Sequence, residues 1–470
     1  MTRLTTSRRA ARLAPLALAL AIAVPLGPVA AQQKEAPPPP GQPKGFTLPA
    51  KREITLPNGM GITLVPYGDV PKVDIELVTL TGNADEQNDQ LWLADVMGQM
   101  MQQGTTTRTA QAIARAAADM GGSLDVDVQL DQTEIGGSVL SEFAARMVAL
   151  VGDVVRHPTF PDSELARVKG NLARELAIQK STPQAQALEL FRAALYGDQR
   201  YGKVFPTEQM LEGYTTAQVR DFYAHQMGAA RSHLYVVGRF DPAAVERAAR
   251  QAFGDWAAGP PPSLPVPHPT SSRRVVIADR PKAVQSTIYV GLPVANPSSP
   301  DYVPLLVTDA LLGGSFGSRI TSNIREAKGY TYSPFSTVST RYRDAYWVET
   351  ADVTTNVTGP ALTEIFKEID RLRNEAPSSA ELTGIQNYLA GTFVLRNSSR
   401  AGIINQLAFL RLHGLPDSYL TDFVQHVYAV TPAEVQRITR EYLDPSRMTI
   451  AVVGDRSIID QQLAPFGAAN

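Results

Sequence analysis

The stretch Leu234-Tyr235-Val236-Val237-Gly238 returns later in the chain, in the same pattern, as Ile450-Ala451-Val452-Val453-Gly454. The copies are offset by 216 positions, from 236 to 452, and the same offset relates Thr216-Ala217-Gln218-Val219 to Pro432-Ala433-Glu434-Val435. One shared offset aligns the residues between them without a gap, as a helix followed by a buried strand. Because solenoid repeats span only roughly 20–50 residues, this period indicates a duplicated domain.

Each copy is predicted to begin with strands and to continue with helices. In the first copy, residues 53–56, 62–65 and 73–77 read as strands, with a turn at Pro57-Asn58-Gly59. In the second copy, a later segment places apolar residues at helical spacing, at Leu362, Ile365, Phe366 and Ile369. Strands that come first and helices that come after predict an α+β fold of two homologous domains, each an antiparallel sheet covered by helices.

Two proline-rich stretches divide the chain, one after position 36 and one after Gly259. Such stretches form extended spacers and linkers. The predicted parts are a signal peptide at 1–31, a proline-rich spacer at 32–50, an N-terminal domain at 51–257, a linker at 258–272 and a C-terminal domain at 273–470.

The first residues have the features of a secretory signal. Arginines at positions 3, 8, 9 and 12 precede an apolar run of 12 residues at 13–24, which is too short to span a bilayer. Val29-Ala30-Ala31 fits a small-residue cleavage site. The sequence therefore predicts an exported chain, periplasmic or secreted, with no membrane span after cleavage.

Composition excludes several classes of site. The chain has 470 residues and no cysteine, which excludes disulfides, thiolate zinc sites and cysteine nucleophiles. Removal of residues 1–31 would take away four arginines and no acid, which moves the formal net charge from −2 to −6. A mildly acidic mature chain argues against nucleic acid as a partner.

The histidines do not form a zinc motif. They are His157, His225, His233, His268, His413 and His426. No two stand at i and i+4 on one helix, so HExxH and HxxEH are absent and no metal site is predicted in this chain.

A serine nucleophile is a weaker hypothesis. Gly313-Gly314-Ser315-Phe316-Gly317 matches the pattern G-x-S-x-G, which requires a strand before the serine. Residues 303–312 read as a helix instead, which disfavours Ser315 as a nucleophile.

The segment after this glycine-rich turn is predicted to bring an arginine and a tyrosine together. Ile320 and Ile324 face one way on a short helix, and Arg325 falls in its last turns. Tyr330 and Tyr332 then share one face of an extended run. A tyrosine hydroxyl can donate to a peptide carbonyl or an oxyanion, and an arginine can hold a carboxylate or steer a peptide backbone. A purely structural arginine–tyrosine pair is the alternative.

These residues resemble the C-terminal signature of the pitrilysin/insulinase zinc metallopeptidases, which include the mitochondrial processing peptidases. The matching pieces are Gly313-Gly314, Ser318-Arg319-Ile320, Ile324-Arg325-Glu326 and Gly329-x-x-Tyr332. The duplicated layout extends the resemblance over nearly the whole mature chain. The resemblance implies that Arg325 and Tyr332 contact substrate across a chamber from zinc, and that Gly313, Gly314, Ser315 and Arg319 lie at the substrate.

The zinc motif of that family is missing. Active members carry HxxEH shortly before a Gly-Thr pair, which is Gly104-Thr105 here. Counting back nine residues places Asp95 at the first histidine, Gly98 at the glutamate and Gln99 at the second histidine. Glu175 resembles the distal glutamate ligand, but one carboxylate cannot hold zinc. Weak binding of a hard cation by Asp95 and Glu175 is the alternative.

Some members of the family divide the work between two chains, and this chain resembles the chain without zinc. The resemblance implies a heterodimer with a zinc-bearing homologous subunit around an unfolded peptide, with no cofactor in this chain and little activity alone. A catalytically inactive structural or chaperone-like role is the main alternative. A serine hydrolase and a stand-alone zinc peptidase are more distant ones.

Overall fold

The computed structural model describes residues 45–468. The predicted signal peptide and most of the predicted spacer lie outside these residues. Within 45–468, each copy of the repeat forms its own sheet and helices, and both copies belong to one compact unit. Among the helices of this part of the chain, none combines the length and the apolar character needed to cross a membrane.

The first copy forms a six-stranded sheet in the order β1-β2-β6-β3-β5-β4. Its strands are β1 (Arg52–Thr55), β2 (Gly61–Pro66), β3 (Lys72–Thr79), β4 (Asp125–Val128), β5 (Thr133–Leu140) and β6 (Ser232–Gly238). Its helices are α1 (Leu93–Met101), α2 (Ala110–Ala118), α3 (Ala144–Arg156), α4 (Asp162–Ser181), α5 (Pro183–Tyr196), α6 (Glu208–Gly213), α7 (Thr216–Gln226) and α8 (Pro242–Phe253).

The second copy forms a five-stranded sheet in the order β7-β11-β8-β10-β9. Its strands are β7 (Arg274–Asp279), β8 (Gln285–Pro293), β9 (Phe335–Arg341), β10 (Asp344–Thr354) and β11 (Thr449–Gly454). Its helices are α9 (Tyr302–Leu312), α10 (Thr358–Asn374), α11 (Ser379–Arg396), α12 (Arg400–His413), α13 (Ser418–Thr421), α14 (Phe423–Ala429), α15 (Pro432–Tyr442) and α16 (Arg456–Leu463).

The α+β class is confirmed, but the prediction of antiparallel sheets is wrong in one respect, because both sheets are mixed. β6 pairs with β2 in parallel and with β3 antiparallel, and β11 pairs in the same way with β7 and β8. These are the two strands that carry the repeated Val-Val-Gly. Each returns to its sheet after a long helical connection, and parallel pairing requires such a connection.

The two copies exchange a helix. α5 of the first copy packs against β7, β8 and β11 of the second sheet, and α12 of the second copy packs against β3 and β6 of the first. Phe191 of α5 is fully buried, with its ring 5.3 Å from that of Tyr346. On the other side, Leu407 of α12 shares a buried apolar cluster with Tyr235 and Val237. Each sheet is therefore covered partly by its own helices and partly by a helix of the other copy.

A half-buried histidine adds a polar contact to this exchange. Arg411 of α12 lies with its Nη1 2.9 Å from Nδ1 of His233, on β6. Burial, and next the charge of Arg411, lower the pKa of His233 to about 3. The ring is therefore neutral, Nδ1 accepts from Arg411, and the other ring nitrogen donates to Thr63 Oγ1 at 2.7 Å.

Candidate functional site

Arg325 lies on a π-helix, Thr321–Ala327, rather than on the α-helical turn that its spacing predicts. Ile320 and Ile324 are fully buried beneath it, as the shared face predicts. Asn323 ties the π-helix to α10, because its Nδ2 donates to Glu368 Oε1 at 2.7 Å. π-Helical turns are rare and occur frequently at functional sites. Gly329 follows with a φ of +65°, which ends the turn.

Arg325 and Tyr332 are in contact, and a third residue completes the cluster. The guanidinium carbon of Arg325 lies 4.8 Å from the centroid of the Tyr332 ring and 4.4 Å from that of Phe316. Its Nε also faces Glu326 Oε1 at 3.2 Å. We call Phe316, Arg325 and Tyr332 the aromatic clamp. The two rings hold the cation by cation–π attraction.

The clamp is on the protein surface. The Tyr332 side chain is 79% exposed and Phe316 is 73% exposed. Sequence reasoning missed Phe316, although a large apolar residue between glycines at a turn is an available signal. Two exposed rings around one guanidinium leave the tyrosine hydroxyl open to a ligand.

The expected pairing of Tyr330 with Tyr332 on one face of a strand is wrong. Residues 329–334 form no regular strand, and Thr331 makes only an isolated bridge to Val353. Tyr330 packs half-buried against the core, whereas Tyr332 points to solvent. The bridge places Tyr332 beyond the end of the sheet, where it can bend back over Arg325.

The two glycines before Phe316 are explained by internal packing. A Cβ on Gly313 would collide with Glu349 Oε2 and lie 2.5 Å from Ser336 Oγ. A Cβ on Gly314 would lie 2.6 Å from Asp309 Oδ2. Both glycines therefore allow the turn to pack closely against two buried carboxyl groups. This packing explains the glycines without any contact to a substrate.

Ser315, expected at the substrate, is buried, and Arg319, also expected there, is paired within the protein. Ser315 is 5% exposed and follows helix α9, so it lacks the strand-to-helix elbow that a serine nucleophile requires. Arg319 forms a bidentate ion pair with Glu381 of α11, at 2.7 Å from Nε and 2.9 Å from Nη2. The Arg319–Glu381 ion pair ties the residues just before the π-helix to α11.

Helix α1 carries the three positions of the missing zinc motif. Asp95 is half-buried, and its Oδ2 accepts from Asn83 Nδ2 at 2.6 Å. Gly98 packs against β4, where a Cβ would lie 2.8 Å from Val128 Cγ2 and 3.2 Å from Val126 Cγ1. A glutamate side chain at position 98 therefore has no room.

Several acids lie near the start of α1, and two of them, Glu86 and Asp95, are half-buried. Glu86 accepts from the backbone N–H groups of Trp92, at 3.0 Å, and Ala94, at 2.8 Å, so it caps the helix. Burial, and next the charge of Asp95, raise the pKa of Glu86 well above its usual value. Burial raises the pKa of Asp95 to about 7, and the charge of Glu175 also raises it. Glu175 and Asp95 line one cavity of about 270 Å³.

This cavity does not fit the zinc that the fold family implies. Within residues 45–468, no group of three or more histidine, aspartate or glutamate side chains is arranged to hold a metal ion. Asp95 already accepts a hydrogen bond from Asn83, Gly98 has no side chain, and Gln99 carries an amide rather than an imidazole. The α1 site therefore supplies neither the nitrogen ligands nor the base of a zinc peptidase.

Comparison with known protein families gives two matches. The family described as Insulinase (Peptidase family M16) matches residues 67–205. The family described as Peptidase M16 inactive domain matches residues 214–389. Together the two matches cover more than half of the chain.

Relatives of known sequence and structure agree with these matches. An uncharacterized zinc protease of Mycobacterium tuberculosis is 24% identical over 437 residues, which cover 89% of this chain and 97% of the relative. An uncharacterized zinc protease of Streptomyces coelicolor is 22% identical, over 86% of this chain and 89% of the relative.

Two solved structures share the fold. A peptidase M16 inactive domain from Pseudomonas fluorescens has a TM-score of 0.78 and 23% identity, over 86% of this chain and 98% of that one. A protease from Helicobacter pylori has a TM-score of 0.80 and 16% identity, over 87% of this chain and 100% of that one. The chain therefore belongs to the insulinase family of peptidases, peptidase family M16, and its sequence contains no HxxEH motif.

Proposed function

We propose that this chain is an exported, non-metal-binding subunit that supplies Arg325 and Tyr332 to a zinc-bearing homologous chain for peptide hydrolysis. The observation that carries the proposal is the contrast between the two sites. The clamp is assembled and exposed to solvent, whereas α1 is packed in a way that excludes the zinc motif. A chain that has the arginine–tyrosine pair but no zinc motif needs a partner that supplies the zinc motif.

The chemistry of the clamp suits a peptide. Tyr332 can donate from its hydroxyl to the oxygen on which charge develops when a peptide carbonyl is attacked. Arg325 lies over both rings, and its N–H groups can donate to a carbonyl or carboxylate. The partner chain supplies the metal-activated water. Export, the partner and the substrate are parts of the proposal.

The test is the complex with a zinc-bearing homologue, co-expressed and purified through a tag on the partner. In that complex we expect Tyr332→Phe to lower kcat on an unfolded peptide by about 100-fold, which is typical for loss of one oxyanion donor. Arg325→Lys keeps the charge but removes the planar fork, and we expect it to lower kcat/KM.

Tyr330→Phe is the matched control. It removes a tyrosine hydroxyl two residues away, from a side chain that packs against the core, and should leave kcat unchanged. Equal activity of Tyr332→Phe and wild type would reject the catalytic role. Absence of peptidase activity from every complex, with loss of assembly when the chain is deleted, would favour a structural or chaperone-like role.

A further inference from the structure

A cavity of about 440 Å³ opens beside the glycine-rich turn, between edge strand β9 and helices α9, α11 and α12. Pockets of roughly 300–1,000 Å³ are the usual size for small ligands. Aromatic rings dominate its walls, and they include Phe335, Tyr388, Phe393, Phe409, Tyr419 and Phe423. The chemistry of the cavity is therefore that of an aromatic pocket.

The inner rings are packed and the outer rings are open. Phe393 and Phe423 stack with their centroids 4.2 Å apart, and Phe409 lies 5.9 Å from Tyr419. Phe335 remains 51% exposed at the mouth. An inner wall of packed rings with an exposed aromatic rim is suited to a flat apolar group that enters from solvent.

One polar side chain in the wall lacks partners. Asn397, at the end of α11, is 2% exposed, and neither its Oδ1 nor its Nδ2 has a hydrogen-bond partner among residues 45–468. A buried polar group without a partner destabilises a protein, and a ligand that pairs with it removes that penalty. A carboxamide offers both donors and an acceptor, which together match the N–H and C=O of a peptide group.

The mouth of the cavity is close to the aromatic clamp along the chain. Phe335, at its mouth, is three residues after Tyr332, and Gly314, in its wall, is two residues before Phe316. Three residues of chain span at most about 11 Å. An extended peptide advances about 3.3 Å per residue, so one bound at the clamp reaches the mouth within about three residues.

We propose that this cavity is a side-chain pocket for an aromatic residue of the bound peptide, with Asn397 hydrogen-bonding the adjoining main-chain amide. The proposal deepens the proposed function by naming a specificity determinant of the substrate. The pocket lies entirely within this chain, so its binding can be measured without the partner.

The probe is N-acetyl-L-phenylalaninamide, with N-acetyl-L-alaninamide as the comparison, measured by calorimetry on the purified chain. We expect the aromatic probe to bind at least tenfold more tightly. Gln406→Trp places a ring into the cavity from α12 and should abolish binding, whereas Ala401→Trp, on an exposed position of the same helix, should leave it unchanged.

Asn397→Leu keeps the size of the side chain and removes its amide, so it should weaken binding of the aromatic probe by about tenfold. It also tests the pocket if Gln406→Trp does not fold. Equal binding of the two probes, or undiminished binding by both variants, would overturn the proposal. We expect Tyr332→Phe to bind the aromatic probe as tightly as wild type does. Failure of the catalytic hypothesis would therefore be seen in the activity of the complex, and failure of the pocket hypothesis in probe binding.

Discussion

At the scale of single residues, the loss of zinc chemistry is built into the packing of α1 and extends beyond the missing ligands. Gly98 is fully enclosed, with Val126 and Val128 of β4 where a side chain would have to go. Both neighbours are β-branched and stiff. Restoration of the motif by substitution at this helix would therefore have to displace the sheet as well.

Gly98→Glu is accordingly expected to lower the free energy of unfolding by about 2 kcal/mol or more, from overpacking and burial of a carboxylate. Urea denaturation measures it. Gln99→Glu, one residue along on a half-buried position, is the control and should change stability much less. A Gly98→Glu protein as stable as wild type would show that α1 can move away from β4.

At the scale of elements, the turn between α9 and the π-helix rests on two acids. Asp309 Oδ1 accepts from Ser336 Oγ at 2.6 Å and from Trp347 Nε1 at 2.8 Å. Glu349, on β10, is fully buried, and neither of its side-chain oxygens has a partner among the described residues. Burial, and next the charge of Asp309, raise the pKa of Glu349 well above its usual value, and burial raises the pKa of Asp309 to about 6.

This arrangement predicts a pH-dependent stability. A raised pKa means that the folded chain binds more protons than the unfolded chain above pH 4.5, the ordinary value for glutamate. Stability is therefore fullest at low pH and falls as pH rises towards the raised pKa, by about 1.4 kcal/mol per unit for such a group. Glu349→Gln should remove this loss.

Thermal unfolding of Glu349→Gln and wild type at pH 5 and pH 8 measures the difference. We expect the stability of Glu349→Gln relative to wild type to increase as the pH rises from 5 to 8. Glu326→Gln replaces an exposed acid, and its stability should follow that of wild type at both pH values. A gap between Glu349→Gln and wild type that is the same at both pH values would contradict a protonated Glu349.

At the scale of the whole molecule, the exchanged helices α5 and α12 join the two halves more strongly than the linker does. Burial of large apolar side chains such as Phe191 and Leu407 stabilises the fold by roughly 1.5–3 kcal/mol each. The coil at 258–272 is largely exposed by comparison. The linker therefore contributes little to keeping the halves together.

A protease site placed at residues 260–265 tests this. After cleavage we expect the two fragments to co-elute from a sizing column at the volume of the intact chain. Phe191→Ala, which removes a ring from the interface between the halves and should cost about 3–5 kcal/mol, should let the cleaved fragments separate at a lower urea concentration. Separation of the wild-type fragments in buffer alone would show that helices α5 and α12 are not the main connection between the two halves.

Local sequence patterns were sufficient for much of this protein. The order of strands and helices and the contact of Arg325 with Tyr332 come from short spacings, and the duplication comes from one repeat offset. The departure from the zinc motif at Asp95 is what the family resemblance implies. Such spacings specify helix faces, turns and motif positions directly. They carry no information about which distant segments meet.

Only the tertiary structure decided the features that join distant segments. The parallel pairing of β6 and β11, the exchange of α5 and α12, and the closing of the clamp by Phe316 all depend on how elements pack. Gly313 shows the physical reason most clearly. The family resemblance implies that Gly313 lies at the substrate, whereas strand register brings Glu349 directly beneath it. A glycine permits close approach of any group, and the fold selects which group approaches.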